Sequence, residues 1–434
     1  MNLNLSTIVK QKQQFIKLSI LCLFASLLYI IRVPYGLISD DALVAPTVTI
    51  QTLLENFLFR WNYNGRIFTD VLANVFYRMP IIIWKLFDVL VYIRMVLLLS
   101  RVFTKNSWLD LLVVCELVLL FPMGYLTSAG YIASTTNYVY PVACLLEIAY
   151  FLSLISHGKH ISIIRYPFLL ICVLYVTNHD QSGMVLIGGL LLYLIYGIIL
   201  KENKHIIVNT AFLLGISVAS YIFMFFIPGH IYRMSDTSEM MHWLPQYASW
   251  SFAKKIYHGF STTVANFLFS DIKLFVILSL LIFMLALRQQ AYYKKIIAFI
   301  PLVVILISNF IGTDKFVIFF EYSCGMPDLL PLSKSLMPFL ITVISVCSIF
   351  YTVWSCVENK QNKWLILMLL VLAAGSREMM GLSATIYASS FRTFTFFLYS
   401  SIACCLIILQ ELKSYEKNGL WYLGLGAIAA MAIL

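Results

Sequence analysis

The sequence predicts an all-α, polytopic membrane protein, and three observations carry that class. Of 434 residues, 61% are hydrophobic and only 12% are charged, far more apolar surface than one soluble core consumes. Apolar runs long enough for a bilayer core of about 30 Å recur from end to end, roughly 12 or 13 of them. Lys and Arg gather in alternate connections between those runs. No linker or internal repeat divides the chain, so residues 1–434 are expected to form a single transmembrane domain.

The first run extends from about Phe15 to Val33. Lys10, Lys12 and Lys17 precede or open it and no small-residue cleavage pattern follows, which favours a retained anchor with a cytoplasmic N-terminus. Further basic connections carry Arg101 with Lys105, Lys159 with Arg165, Lys201 with Lys204, Arg288 with Lys294 and Lys295, Lys360 with Lys363, and Lys413 with Lys417. These are expected to be cytoplasmic, so the net charge of +10 is a topology signal with contact to anionic membrane lipids as a secondary effect, and it gives no ground for nucleic acid as a partner. The remaining connections, residues 34–78, 127–137, 178–183, 228–271, 312–333 and 376–392, are expected to face away from the cytosol. Eight of the nine cysteines lie in or beside apolar runs, where a thiol acts as a small hydrophobe, and only Cys324 falls in an outer loop; no disulfide framework or CxxC metal site is indicated.

The first outer loop, 34–78, opens with the adjacent carboxylates Asp40 and Asp41. Beyond them Ile50, Leu53, Leu54, Phe57, Leu58 and Trp61 fall at helical spacing, "NYNGR" breaks the pattern, and Phe68, Leu72, Val75 and Phe76 start a second amphipathic stretch. Two interfacial helices follow from this, holding the aspartates near headgroup depth. A lone Asp at such a place is as readily a helix cap, and that reading stands beside a functional one.

The other outer connections are polar in a related way. "TTNYVYP" brings Asn137 and Tyr138 to the start of a span, and "NHDQSG" holds His179 and Asp180 at the turn of a helical hairpin. "PGHIYRM" carries His230 and Arg233, and 376–392 carries Arg377 and Arg392. His179 with Asp180 reads as an interhelix hydrogen-bonding pair ahead of a metal site. His230 is either a phosphate contact or a cap of the turn after Pro228 and Gly229. Arg66, Arg233, Arg377 and Arg392 suit an anionic ligand, because a guanidinium stays charged and presents two parallel N–H groups to phosphate; each equally suits snorkelling to headgroups. Inside the spans, Asp88, Arg94, Glu116 and Glu147 stand out, and the two glutamates are expected to pair with buried polar groups. No phosphate loop, dinucleotide fingerprint, nucleophile elbow or HExxH occurs, so no cofactor is indicated and a divalent metal is not called for.

Five short elements occur in order: "SDD" (Ser39 to Asp41), "W..NGR" (Trp61 to Arg66), "NY..P" (Asn137, Tyr138, Pro141), the His179–Asp180 turn and "PG...R" (Pro228, Gly229, Arg233). In that order they resemble the GT-C superfamily of polytopic glycosyltransferases, and within it a bacterial GT-C-like group with a first-loop DD. The resemblance covers about the first half of the chain, and "NHDQSG" departs from the "hEN" turn usual in the group. It implies a GT-C-like bundle in the bacterial cytoplasmic (inner) membrane and an inverting enzyme of cell-envelope polysaccharide biosynthesis. Such an enzyme moves a sugar from a polyprenyl-phosphate donor to a glycan or glycolipid acceptor on the extracytoplasmic face. Asp40 or Asp41 would act as general base; Arg66 and Arg233 would hold the phosphate, with Arg377 and Arg392 in reserve, and Asn137, Tyr138, His179, Asp180 and His230 would line the site. A transporter or flippase of a lipid-linked saccharide is the alternative, weakened by the lack of repeated halves.

Overall fold

The computed structural model describes residues 5–38, 41, 49–159, 161–311, 332–389, 391–414 and 420–433. Ser39, Asp40, Cys324, Lys417 and most of the 312–333 loop lie outside them. Every regular element among the described residues is helical. Among the described residues seven helices are long and apolar enough to cross a bilayer, or nine if each of two bent pairs counts as one span. The chain divides into two compact units, residues 1–119 with 123–236, and 120–122 with 237–434.

The first unit begins with α1 (Leu5–Arg32), followed by α2 (Ile50–Tyr63) and α3 (Ile67–Arg78) in the first loop. Then come α4 (Ile81–Phe103), α5 (Trp108–Leu119), the single turn α6 (Tyr131–Ser134) and α7 (Tyr140–Ser156). The unit closes with α8 (Arg165–Thr177), α9 (Asp180–Ile199), α10 (Lys204–Phe225) and the short α11 (Pro228–Ser235). α1 packs along α4 and α5, α4 along α7, and α7 to α10 pack in sequence. Phe151, Leu169, Val173, Val176, Leu186, Leu190 and Leu213 form the apolar core of that second group. α8 has only 13 residues, about 20 Å of helix at ~1.5 Å per residue, well short of the bilayer core.

The two loop helices expected from periodicity are α2 and α3. Thr49 caps α2, its hydroxyl accepting from Thr52 N while the Thr52 hydroxyl accepts from Thr49 N, a reciprocal pair that satisfies two donors at the helix start. α2 buries no residue fully and leaves Ile50, Leu54, Leu58 and Phe59 uncovered, which suits a helix lying in a lipid interface.

α4 carries four charges, Lys85, Asp88, Arg94 and Arg101; the unit pairs two of these with opposite charges and gives Lys85 a carbonyl. Asp88 is fully buried and paired with Arg32, whose guanidinium also lies over the Tyr92 ring at 4.5 Å and the Tyr131 ring at 5.5 Å. Arg94 donates twice to Glu147, Nε to Oε1 at 2.5 Å and Nη2 to Oε2 at 2.9 Å. Lys85 donates to the Val33 carbonyl at 2.9 Å. The expectation that Glu147 is structural thus has its partner, since an intramembrane charge with a two-point partner loses most of its burial penalty.

In the second unit α12 (Ser238–Trp243) leads to α13 (Phe252–Phe269), α14 (Lys273–Leu287) and α15 (Tyr292–Ile311). α16 (Leu332–Cys356), α17 (Lys360–Glu378), α18 (Thr395–Ser414) and α19 (Leu420–Ile433) follow. α18 is the central helix, buried along nearly its whole length by α14 and α17. α13 and α17 are locked where a Cβ on Gly259 would lie 2.4 Å from the Glu378 carbonyl oxygen, so only glycine permits that approach.

Candidate functional site

At one end of the first unit, four remote stretches of sequence meet on the turn between α2 and α3. Gly65 has φ +76°, which a side chain disfavours, and a Cβ there would stand 2.8 Å from His230 Cβ. From the other side, a Cβ on Gly229 would stand 2.6 Å from Asn64 N and 2.7 Å from the Arg60 carbonyl oxygen. The glycines of "NGR" and "PGH" therefore exist to let the α2–α3 turn rest on the first turn of α11, backbone to backbone. Asn178, which closes α8, holds the same turn: its Nδ2 donates to Gly65 O at 3.1 Å and its Oδ1 accepts from Phe68 N at 2.8 Å.

This clamp fixes Arg66 beside Asp180 at the start of α9. Arg66 Nη2 donates to Asp180 Oδ2 at 2.9 Å, and Arg233 Nη1, from α11, donates to the same oxygen at 3.3 Å. His230 Nδ1 lies 3.9 Å from Asp180 Oδ1. Next to them Asp70 of α3 accepts from Asn64 Nδ2 at 2.7 Å and from Asn137 Nδ2 at 3.4 Å, and pairs with Arg60 at 3.4 Å. Three guanidiniums thus face two carboxylates, a net charge of +1 while the imidazoles are neutral. The side chains of Asp180 and Arg233 are about a third exposed, 32% and 39%, against 17% for Arg66, so the cluster opens on the Arg233 side.

Both histidines are held neutral. His179 is buried, caps α9 by accepting from Ser182 N at its Nδ1 (3.4 Å), and meets the Tyr138 ring edge-on at 5.1 Å. Its Nε2, which then carries the proton, is buried without a partner. Burial, reinforced by the Arg66 charge, pushes its pKa well below the ordinary value. Burial also lowers His230, outweighing the pull of Asp180. His179 and Asp180 do not bond to each other across helices as expected: the imidazole caps and the carboxylate bridges two arginines.

Asn137 and Tyr138 sit on a π-helical turn, Thr135–Val139, where Tyr140 N reaches back to Thr135 O. In that register the next donor would be residue 141 and its acceptor Thr136 O, but Pro141 has no N–H. The Tyr175 hydroxyl supplies the missing donor to Thr136 O at 2.8 Å. This widened turn swings Asn137 toward Asp70 and Tyr138 toward His179.

Asp41 is fully buried and caps the Tyr131 helix, accepting from Ile132 N at 2.9 Å and Ala133 N at 3.1 Å. Gly130, at φ +97°, leaves room for it: a Cβ there would lie 2.5 Å from Asp41 Oδ1. Burial raises its pKa, against the stabilising N–H groups and the Tyr77 hydroxyl. Its two oxygens are thus committed to the fold.

The remaining expected residues belong to the second unit. Arg377 is buried, donating from Nη2 to Ile386 O at 3.2 Å and lying over the Phe394 ring at 4.8 Å, and Arg392 is half-buried. In the same unit Trp250 stacks on His258 at 4.0 Å, and His258 Nδ1 meets the Tyr387 hydroxyl at 2.7 Å. Sequence reasoning passed over Asp70 and Asn178, although Asn178 lies inside the polar turn singled out and Asp70 is the acidic residue four after Arg66. Among the described residues no group of three or more His, Cys, Asp or Glu is placed to hold a metal ion. Comparison with protein-family models, with curated proteins and with solved structures finds no match.

Proposed function

We propose that the protein is a membrane glycosyltransferase that takes a sugar from a polyprenyl-phosphate donor and passes it to a cell-envelope glycan or glycolipid. The observation that carries this reading is the convergence of Arg66 and Arg233, 114 and 53 residues away from Asp180, on one partly open carboxylate with net positive charge around it. Such a pair suits a phosphate at a membrane surface, where guanidiniums keep their charge and match its oxygens. The resemblance of the ordered motifs to GT-C enzymes supports the same class, a GT-C-like bundle in a bacterial cytoplasmic membrane with the N-terminus in the cytoplasm.

In this reading the acceptor hydroxyl attacks the anomeric carbon while the bond from that carbon to the phosphate oxygen breaks. The electron pair leaves with the phosphate, whose new charge Arg66 and Arg233 stabilise. Asp40 takes the hydroxyl proton, Asp41 holds the α6 start against which the loop is seated, and the sugar is inverted. No cofactor is needed for the step.

The test is transfer by the full chain in lipid nanodiscs supplied with radiolabelled polyprenyl-phosphate sugars and envelope glycolipid. Asp40→Asn is expected to lower turnover by about 10² to 10⁴ while expression is kept, as for loss of a general base. Arg233→Lys is expected to lower it by about tenfold or more, because an ammonium lacks the planar two-point contact. Full activity in both variants overturns the mechanism. No transfer, with lipid-linked saccharide crossing vesicle bilayers, replaces it with the transporter reading.

A further inference from the structure

The way Asp180 holds its two arginines differs from the Arg94–Glu147 pair of the same unit. Arg94 and Glu147 meet at two points, each carboxylate oxygen taking one N–H. At Asp180 both guanidiniums crowd onto Oδ2, at 2.9 and 3.3 Å, while Oδ1 lies 3.9 Å from His230 Nδ1, beyond hydrogen-bond reach. Arg66 meets Asp180 through a single N–H, and its Nε is buried with no partner. Engaged at one oxygen, the carboxylate leaves Arg66 Nε unmatched; a phosphate, with three outward oxygens, can face both guanidiniums at once. Asp180 is also free to leave. Its side chain is about a third exposed and it is the first residue of α9, where a carboxylate turned outward still faces the positive end of the helix.

We infer that Asp180 is an internal counter-ion: it occupies the phosphate site of the empty protein and must swing out before a phosphate binds between Arg66 and Arg233. This rests on the phosphate-binding reading above and adds how that site is kept shut. Anions that bring no more than a carboxylate gain nothing by the exchange and are turned away; a phosphate completes the donor set. The apparent affinity is then reduced by the small fraction of time the site stands open.

The sign of one substitution decides the matter. The full chain in nanodiscs is titrated with inorganic phosphate and, separately, with acetate. Removing the counter-ion in Asp180→Asn is expected to tighten phosphate by about 10- to 100-fold, the range expected if the open form is populated at about 1 to 10%, and to make acetate binding measurable. Asp180→Ser, which keeps a side chain suited to a helix start, is expected to behave alike should the amide variant misfold. Adding Arg66→Gln to either variant is expected to abolish the gain. If Asp180 instead organises the two arginines, phosphate weakens in both variants, and that result, or failure of every form to bind phosphate, overturns the inference. Tightened phosphate binding without transfer of any sugar leaves the counter-ion standing and removes the glycosyltransferase reading.

Discussion

Gly65 shows how one atom governs the cluster. Alanine there faces two penalties: a left-handed backbone costing about 1–2 kcal/mol, and a Cβ 2.8 Å from His230 Cβ and 2.9 Å from His230 N, which are too rigid to withdraw. Gly65→Ala is therefore expected to part α11 from the α2–α3 turn, destabilise the first unit by about 2 kcal/mol or more and weaken phosphate binding together with stability. Thermal unfolding of the purified chain checks it, and an unchanged midpoint would show that the turn can relax. At this scale the sequence was informative wherever a residue was unusual for its surroundings: Arg66, Asp180, His230 and Arg233 were all conspicuous polar groups beside apolar runs, and all four meet. Asp70 was not conspicuous, because an acid on the polar side of an amphipathic helix is ordinary. Its partners Asn64 and Asn137 come from two other turns, and nothing local announces a long-range pairing.

Among elements, the π turn at Thr135–Val139 depends on a hydroxyl from another helix. Tyr175→Phe keeps the ring and removes only the donor to Thr136 O, so the expected cost is about 1 kcal/mol for the hydrogen bond and up to ~3 kcal/mol if the carbonyl is left dry. The variant should also free Asn137 from its place beside Asp70, which amide hydrogen exchange over 133–141 would detect as lost protection; unchanged exchange would mean that the turn holds itself. α2 and α3 were legible from apolar spacing, since an interfacial helix must alternate its faces. The π turn was not legible, because it is set by a proline that removes one donor and a tyrosine, 39 residues beyond Thr136, that replaces it. The span count was only partly legible for a related reason. Hydropathy marks apolar runs, whereas α4 owes its place in the bundle to Arg32 and Glu147, and α8 is too short for its run to be weighed alone.

For the whole molecule, the loop ends joined by Asp41, Arg66, Asn178, Asp180 and Arg233 lie together in the first unit, as alternating basic connections require of every second loop. Single cysteines at Ser235 and Glu202, with the native thiols masked, should separate the two sides: Ser235→Cys is expected to react with an impermeant label on intact cells and Glu202→Cys only after lysis. The reverse pattern would turn the cluster toward the cytoplasm and end the envelope reading. The division into two units was not foreseen, because no change in composition marks the boundary; it lies between α11 and α12, inside a polar loop that looks continuous in sequence.

The cluster also sets an order of events at birth. Asp41 has no N–H groups to accept from until Ile132 and Ala133 exist, 91 and 92 residues later, and Arg66 waits 114 residues for Asp180. At a ribosomal pace of about 5–20 residues per second, that leaves the first loop unseated for roughly 5 to 25 seconds while later helices are threaded into the membrane. During that interval the exposed apolar side of α2 has only lipid to rest on. The helix is thus a temporary raft for its own loop, and a nascent chain arrested just before Asp180 should carry that loop open to protease, whereas one arrested after α11 should carry it closed.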